Sequence, residues 1–142
     1  LSTLLSMFNI ISHNIRGLND QNAINDKIKP LLALNYDVIL LQETKLTHQI
    51  NLNGYFSISD SHSAGVGLIV NSNLEILEYN IINNRIIILV LYEFIIINVY
   101  APNNLNEKID FFLLLKEILS NYKNKFQSHK IIIGGDFNIH LD

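Results

Sequence analysis

Between Ile86 and Tyr100 the chain runs almost unbroken in isoleucine, leucine, valine and aromatic residues, interrupted at its centre by Tyr92-Glu93. Few folds can absorb such a stretch. The glutamate, and a length short of the roughly 20 apolar residues that a spanning helix needs, argue against a bilayer segment. β-Branched side chains crowd a helical turn and favour extended backbone. The segment therefore predicts two strands, Arg85 to Leu91 and Phe94 to Tyr100, closed into a tight hairpin by Tyr92-Glu93. Apolar on both faces, such strands belong inside a layered protein.

The remaining segments extend that frame. Phe8 to Ile15 predicts a first strand ended by Arg16-Gly17, and Asn19-Asp20 offers caps for a helix with Ile24, Ile28, Leu31 and Leu32 on one face up to Leu34. Pro30 should kink or end that helix. Asp37 to Gln42 reads as a second buried strand, Gly54 to Ile58 as a weak one, and Ser61 to Ala64 as loop. Gly65 to Val70 reads as a strand whose glycines permit close backbone approach, and Leu74 to Tyr79 as a further strand. Ala101-Pro102-Asn103-Asn104 breaks the sheet before an amphipathic helix over Asn106 to Phe126. His129 to Ile133 gives a last strand, closed by Gly134-Gly135-Asp136. The order suits an α/β protein with a mixed sheet, in one domain over residues 1–142.

Composition narrows the function classes. With 49% apolar and 16% charged residues the chain is outside the regime of disordered polypeptides. The absence of cysteine excludes a disulfide framework, a cysteine zinc site and a thiol nucleophile. A net charge of −3 argues against a general electrostatic nucleic-acid binder, although phosphate substrates remain open if a metal supplies positive charge. The first residues lack the basic region of a signal peptide. The chain starts on Leu1 and its single methionine is Met7, which suggests a fragment of a longer reading frame. Ile and Asn, both with AT-rich codons, are so frequent that an isolated Asn carries little functional weight.

Strand ends are where α/β proteins build sites, because the strand fixes the backbone while the loop exposes the side chain. Four ends here carry chemistry: Asn14 before Ile15-Arg16-Gly17, Glu43 in Leu41-Gln42-Glu43-Thr44-Lys45, Tyr100 in Asn98-Val99-Tyr100-Ala101-Pro102-Asn103, and Asp136 with Asn138 in Gly134-Gly135-Asp136-Phe137-Asn138. Carboxylates and amide oxygens without cysteine suit magnesium or manganese better than zinc. An ion held by one or two carboxylates and waters leaves room for a phosphate oxygen, the requirement for phosphodiester hydrolysis. Taken singly, each residue is more often a cap or turn former.

Taken in order, the motifs Asn14 to Leu18, Leu41 to Lys45, Ala64 to Gly67, Val99 to Asn103 and Gly134 to Asn138 resemble the endonuclease/exonuclease/phosphatase family of exonuclease III, apurinic endonucleases and DNase I. They are closest to the endonuclease domains of non-LTR retrotransposons. The resemblance implies a four-layer sandwich of two sheets flanked by helices, built from two similar halves. This chain would supply the first half, a mixed and mainly antiparallel sheet with helices on one face. It implies that Glu43 is the principal ligand of Mg2+, with Mn2+ as a substitute, and that Asn14 supports the metal and the neighbouring aspartate. It assigns Asp136 to the attacking water, Asn138 and Asn103 to the substrate phosphate, and Tyr100 to a phenol beside that phosphate. DNA is the implied substrate, no membrane is involved, and a nuclear location follows if the origin is a mobile element.

The family's second half carries a Ser-Asp-His motif, and none of the five histidines here sits in that context. Asp60-Ser61-His62 has the residue types in the wrong order, in a mid-chain loop. His13, His48, His129 and His140 read as surface or packing residues. Arg16 stands where apurinic endonucleases often have an acid. The half-domain reading carries two expectations: an apolar sheet face open to water unless a C-terminal half or another chain covers it, and weak or no hydrolysis by the chain alone. Two alternatives stay open, a phosphatase of the same superfamily acting on small or lipid phosphoesters, and a non-catalytic remnant or binding module.

Overall fold

The computed structural model describes residues 7–46, 49–59 and 65–139. In chain order its elements are β1 (Ile10–Asn14), α1 (Gln21–Leu32), β2 (Val38–Gln42), β3 (Tyr55–Ser59), β4 (Val66–Asn71), β5 (Glu78–Ile82), β6 (Ile86–Val90), β7 (Phe94–Tyr100), α2 (Leu105–Lys125) and β8 (Lys130–Asp136). They form two four-stranded sheets, ordered β1-β2-β4-β3 and β5-β6-β7-β8. Each sheet is mixed and mainly antiparallel. Its one parallel pair, β1 with β2 or β7 with β8, is joined by a helical crossover. The predicted hairpin is present, with the Leu91 amide donating to the Phe94 carbonyl at 2.8 Å around Tyr92-Glu93.

Side-chain alternation sorts the strands into layers. Val38 and Leu40 of β2 and Val66, Leu68 and Val70 of β4 meet Ile87, Leu89 and Ile96 of the other sheet in the central core. The opposite faces carry the helices: Ile24 and Ile28 of α1 pack on Ile39, Leu41 and Ile69, while Phe111, Leu115 and Ile118 of α2 pack on Ile86, Ile88, Ile95 and Ile97. The described residues thus already form four layers: helix, sheet, sheet, helix. This corrects the expectation of an open sheet face awaiting a second half or another chain. The Ile-rich hairpin forms a second sheet instead of extending the first, and the two sheets bury each other. Each sheet does carry its helix on one face only, as expected.

Local chemistry explains the helix ends. Asp20 caps α1 by accepting from the Ala23 amide at 2.8 Å. Pro30 lies in the last turn, and the helix stops two residues later. Asn104 caps α2, accepting from the Asn106 and Glu107 amides at 2.8 and 3.3 Å. Two predicted strands shift. The fifth is Glu78–Ile82 and not Leu74 to Tyr79, because a turn at Asn71 takes up Leu74 (amide to carbonyl, 3.0 Å). The left-handed pair Asn83 and Asn84 (φ 54° and 58°) then fixes the β5–β6 register. The last strand continues through both glycines to Asp136 instead of ending before them. The close approach expected around Gly65 is seen, since a Cβ there would fall 2.2 Å from Thr44 Oγ1. Among the described residues no helix is long and apolar enough to cross a membrane.

Candidate active site

Both parallel pairs end at the same place. The register sets Asn14 beside Gln42 in one sheet and Tyr100 beside Asp136 in the other. Asn14 Nδ2 donates to Asp136 Oδ2 at 3.0 Å across the gap between the sheets. An open cleft of about 450 Å³ lies there, lined by Ser12, Asn14, Gln42, Asp136, Phe137 and Asn138 among others. The structure therefore brings together residues separated by most of the chain's length.

The loops after β1 and β2 are zipped to each other. The Ile15, Gly17 and Leu18 amides donate to the Gln42, Glu43 and Thr44 carbonyls at 3.0, 2.7 and 2.7 Å, which places the Glu43 loop alongside that of Asn14. Arg16, Glu43, Lys45 and Asn138 all adopt positive φ (55°, 56°, 49° and 47°), a conformation that costs a side-chain-bearing residue energy and clusters at functional sites. Lys27 of α1 supports the first loop, its ammonium donating to the Ile15, Arg16 and Gly17 carbonyls at 3.1, 3.0 and 2.9 Å.

Asp136 is held at both oxygens: Oδ2 accepts from Asn14 and Oδ1 accepts from the Asn138 amide at 3.0 Å. Asn14 in turn uses its Oδ1 to accept from the Arg16 amide at 3.2 Å, so its side chain bridges its own loop and Asp136. Asn138 Nδ2 donates to the Ala101 carbonyl at 2.6 Å, and Lys108 of α2 donates to the Asn138 carbonyl. Two glycines permit this geometry. A Cβ on Gly135, at φ 136°, would lie 2.0 Å from the Val99 carbonyl oxygen, and one on Gly134 would lie 2.8 Å from Leu40 Cδ1 of the facing sheet.

Glu43 pairs with Lys45 at 3.3 Å and keeps a quarter of its side chain in water. Tyr100 lies within electrostatic reach of both carboxylates. Burial pushes its phenol above the ordinary tyrosine value, and Glu43 and Asp136 push the same way against Arg85 and Lys45. The phenol therefore stays protonated and is a hydrogen-bond donor at neutral pH. Arg85, which the sequence reading passed over, lies 5.2 Å from the Tyr100 ring centroid and donates from Nη1 to the Tyr100 carbonyl at 3.0 Å. Its signal was a lone cation opening a strand that pairs with the Tyr100 strand.

Asn103 sits apart, exposed in the bend between β7 and α2, and its side chain joins none of these hydrogen bonds. His13 is exposed on β1, and His129 packs edge-on against Phe126 with Nε2 2.9 Å from the Leu91 carbonyl. His48, Asp60, Ser61, His62, Ala64 and His140 lie outside the described residues.

The chain belongs to the Endonuclease/Exonuclease/phosphatase family, whose sequence profile matches residues 11–142. No curated protein matches it. Among solved structures it is similar to the 3'-5' exonuclease NExo from Neisseria meningitidis, with a TM-score of 0.74 and 22% identity over 92% of this chain and 58% of that one. It is also similar to TDP2 from C. elegans (TM-score 0.71, 13% identity, 94% of this chain and 48% of that one). An AP endonuclease from Archaeoglobus fulgidus gives a TM-score of 0.65 at 21% identity, over 94% of this chain and 58% of that one. The chain thus spans about half to three-fifths of the length of these structures, and at such identities the likeness is one of fold.

Proposed function

We propose that this chain carries the metal-binding and water-positioning part of a magnesium-dependent phosphodiesterase acting on DNA. The observation that carries the reading is the 3.0 Å hydrogen bond from Asn14 to Asp136, which joins two motif residues from different sheets in one cleft. The cleft offers the Asp136 carboxylate and the Asn14 and Asn138 amides, and the Glu43 carboxylate follows the cleft residue Gln42 in the adjoining loop, so the available ligands are oxygens. That set fits a hard cation, and Mg2+ in particular needs few protein ligands because it keeps waters and takes substrate phosphate oxygens. Mn2+ fits the same donors.

Glu43, which keeps a quarter of its side chain in water, would hold the ion. When bound, the ion supplies positive charge to the phosphate oxygens. Asp136, fixed at both oxygens, orients a water and takes its proton. Asn14 keeps that carboxylate in place. The protonated Tyr100 donates to a phosphate oxygen, as does the N–H of Asn138 not used by Ala101, so charge developing in the transition state meets fixed donors. Asn103, exposed in the bend before α2 and outside this hydrogen-bond network, is assigned an outer phosphate contact. The motif set, which resembles that of non-LTR retrotransposon endonucleases, favours DNA over small phosphoesters.

Titration calorimetry with Mg2+ and a plasmid-nicking assay test the reading together. One Mg2+ site lost in Glu43→Ala is expected, with weak magnesium-dependent nicking of supercoiled DNA abolished by Glu43→Ala and by Asp136→Ala. Phosphate release from soluble phosphoesters without nicking would transfer the chain to the phosphatase reading. A folded chain that binds no Mg2+ would refute the metal assignment and favour a non-catalytic remnant.

A further inference from the structure

Two buried polar side chains, Asn98 and Gln42, interrupt the apolar layer between the sheets. Asn98, in the middle of β7, is fully buried, on the same strand face as Ile96 and Tyr100. Each of its polar atoms is paired, as burial demands. Oδ1 accepts from Gln42 Nε2 at 2.8 Å, and Nδ2 donates to the Leu41 and Gly67 carbonyls, both at 2.9 Å. All three bonds cross to the other sheet, reaching β2 and β4. Gln42 Nε2 also donates to Ser12 Oγ of β1 at 3.0 Å, so one amide cluster ties β7 to three strands of the facing sheet.

The position of this cluster matters. Ser12 lies two residues before Asn14 and Asn98 two before Tyr100, while Gln42 immediately precedes Glu43. Gly134, the register partner of Asn98, lies two before Asp136. Four strands therefore each place a cluster residue, or its register partner, one step of about 7 Å or less below a candidate site residue. Apolar packing resists separation of two sheets but tolerates sliding, whereas directional hydrogen bonds fix both distance and offset.

We infer that Asn98 is a positioning residue: through Gln42 and Ser12 it sets the spacing and offset of the two sheets at the site end, and so the placement of Glu43 relative to Tyr100 and Asp136. The inference rests on the proposed reading of the site. Two readouts on the 142-residue chain test it. Hydrogen exchange follows the amides that close the site end, Gly17 on the Glu43 carbonyl and Ala101 on the Asp136 carbonyl, and one at the far end, Leu91 on the Phe94 carbonyl. Mn2+ affinity is measured on the same samples by calorimetry.

Asn98→Leu keeps the branching and heavy-atom count of the side chain and removes the bonds. Exchange at Gly17 and Ala101 is expected to quicken at least tenfold while Leu91 holds its rate, with Mn2+ affinity at least fivefold weaker. Ile96→Val, which loosens the same layer without removing a bond, should leave the affinity unchanged. Equal acceleration at both ends, or equal affinity loss in Ile96→Val, would reduce Asn98 to a general stability role and overturn the inference. Gln42→Met leaves both carbonyl bonds in place and carries the same comparison if Asn98→Leu does not fold. If the wild-type chain binds no Mn2+, the metal reading fails by itself, and the exchange pattern alone then decides whether Asn98 positions the site end.

Discussion

Lys27→Met removes a charge from beneath the site while keeping most of the aliphatic stem. The ammonium of Lys27 donates to three successive carbonyls, those of Ile15, Arg16 and Gly17, at 2.9–3.1 Å. They converge because Arg16 and Gly17 are left-handed, at φ 55° and 94°. Two of these contacts are half-buried and one is exposed. Water replaces the donor at the exposed Arg16 carbonyl at little cost, whereas each half-buried carbonyl loses about 1 kcal/mol. The sum is about 2 kcal/mol, or about 4–8 °C in melting temperature for a chain of this size. Urea and thermal melts followed by far-ultraviolet circular dichroism measure it. The effect should reach the site as well, because the Arg16 amide holds Asn14 Oδ1 at 3.2 Å and Asn14 holds Asp136. A melting midpoint within about 0.5 kcal/mol of wild type would refute the reasoning, since that is the range of an ordinary surface substitution.

Gly135→Ala should cost more than about 3 kcal/mol and leave little soluble protein, because its Cβ would meet Val99 backbone at 2.0 Å in a left-handed conformation. Gly54→Ala, also left-handed but with nothing within 4 Å, should cost only about 1 kcal/mol in the same urea melt. Lys45→Met should raise Mg2+ affinity about twofold to fivefold by calorimetry, because the ammonium competes for Glu43 at 3.3 Å in a pair exposed enough to be worth at most about 1 kcal/mol. The Tyr100 phenol should titrate above the free-tyrosine value of about 10, seen as the phenolate absorbance lost in Tyr100→Phe. The raised folded value means that its protonated form is favoured by folding. This contribution is complete below pH 10 or so and is lost as pH rises through the folded value, so wild type should lose stability relative to Tyr100→Phe only in strong alkali.

The layers were legible in the sequence where apolar runs were long. Ile86 to Tyr100 could be only buried strand, and the spacing of Ile24, Ile28 and Leu31 could be only a helix face. What the runs could not show was which sheet each joined. A strand buried on both faces reads the same whether a helix or another sheet covers it, so the sequence leaves a sheet face open where the second sheet packs. Leu74 to Tyr79 misled because Leu74 and Ile76 reach the central core at the two-residue spacing of a strand, although regular pairing begins only at Glu78. The strand-end polar residues were legible because strands fix where their ends point. Asn98 was not: in a chain so rich in asparagine one more carried no weight, although its offset of two from Tyr100 already placed both side chains on one face.

That offset bears on how a site can be assembled from two sheets at all. Within a sheet, backbone ladders place Asn14 beside Gln42 and Tyr100 beside Asp136. No ladder runs between sheets, whose faces ordinarily stand about 10 Å apart with side chains filling the gap. The single Asn98 side chain reaches the Leu41 and Gly67 backbone carbonyls of the facing sheet at 2.9 Å, which brings the sheets close at the end where Asn14 meets Asp136. Gly134 supplies the room, having no side chain to meet Leu40, and the Asn98 amide supplies bonds short enough to hold the sheets there. Towards the far end the same layer is filled by Leu89, Leu91, Phe8 and Phe94, with the two phenylalanine rings stacked at 5.0 Å between centroids. A layer wedged by large side chains at one end and given room by glycine at the other joins its sheets through the Asn14–Asp136 and Gln42–Asn98 bonds where the two parallel pairs end.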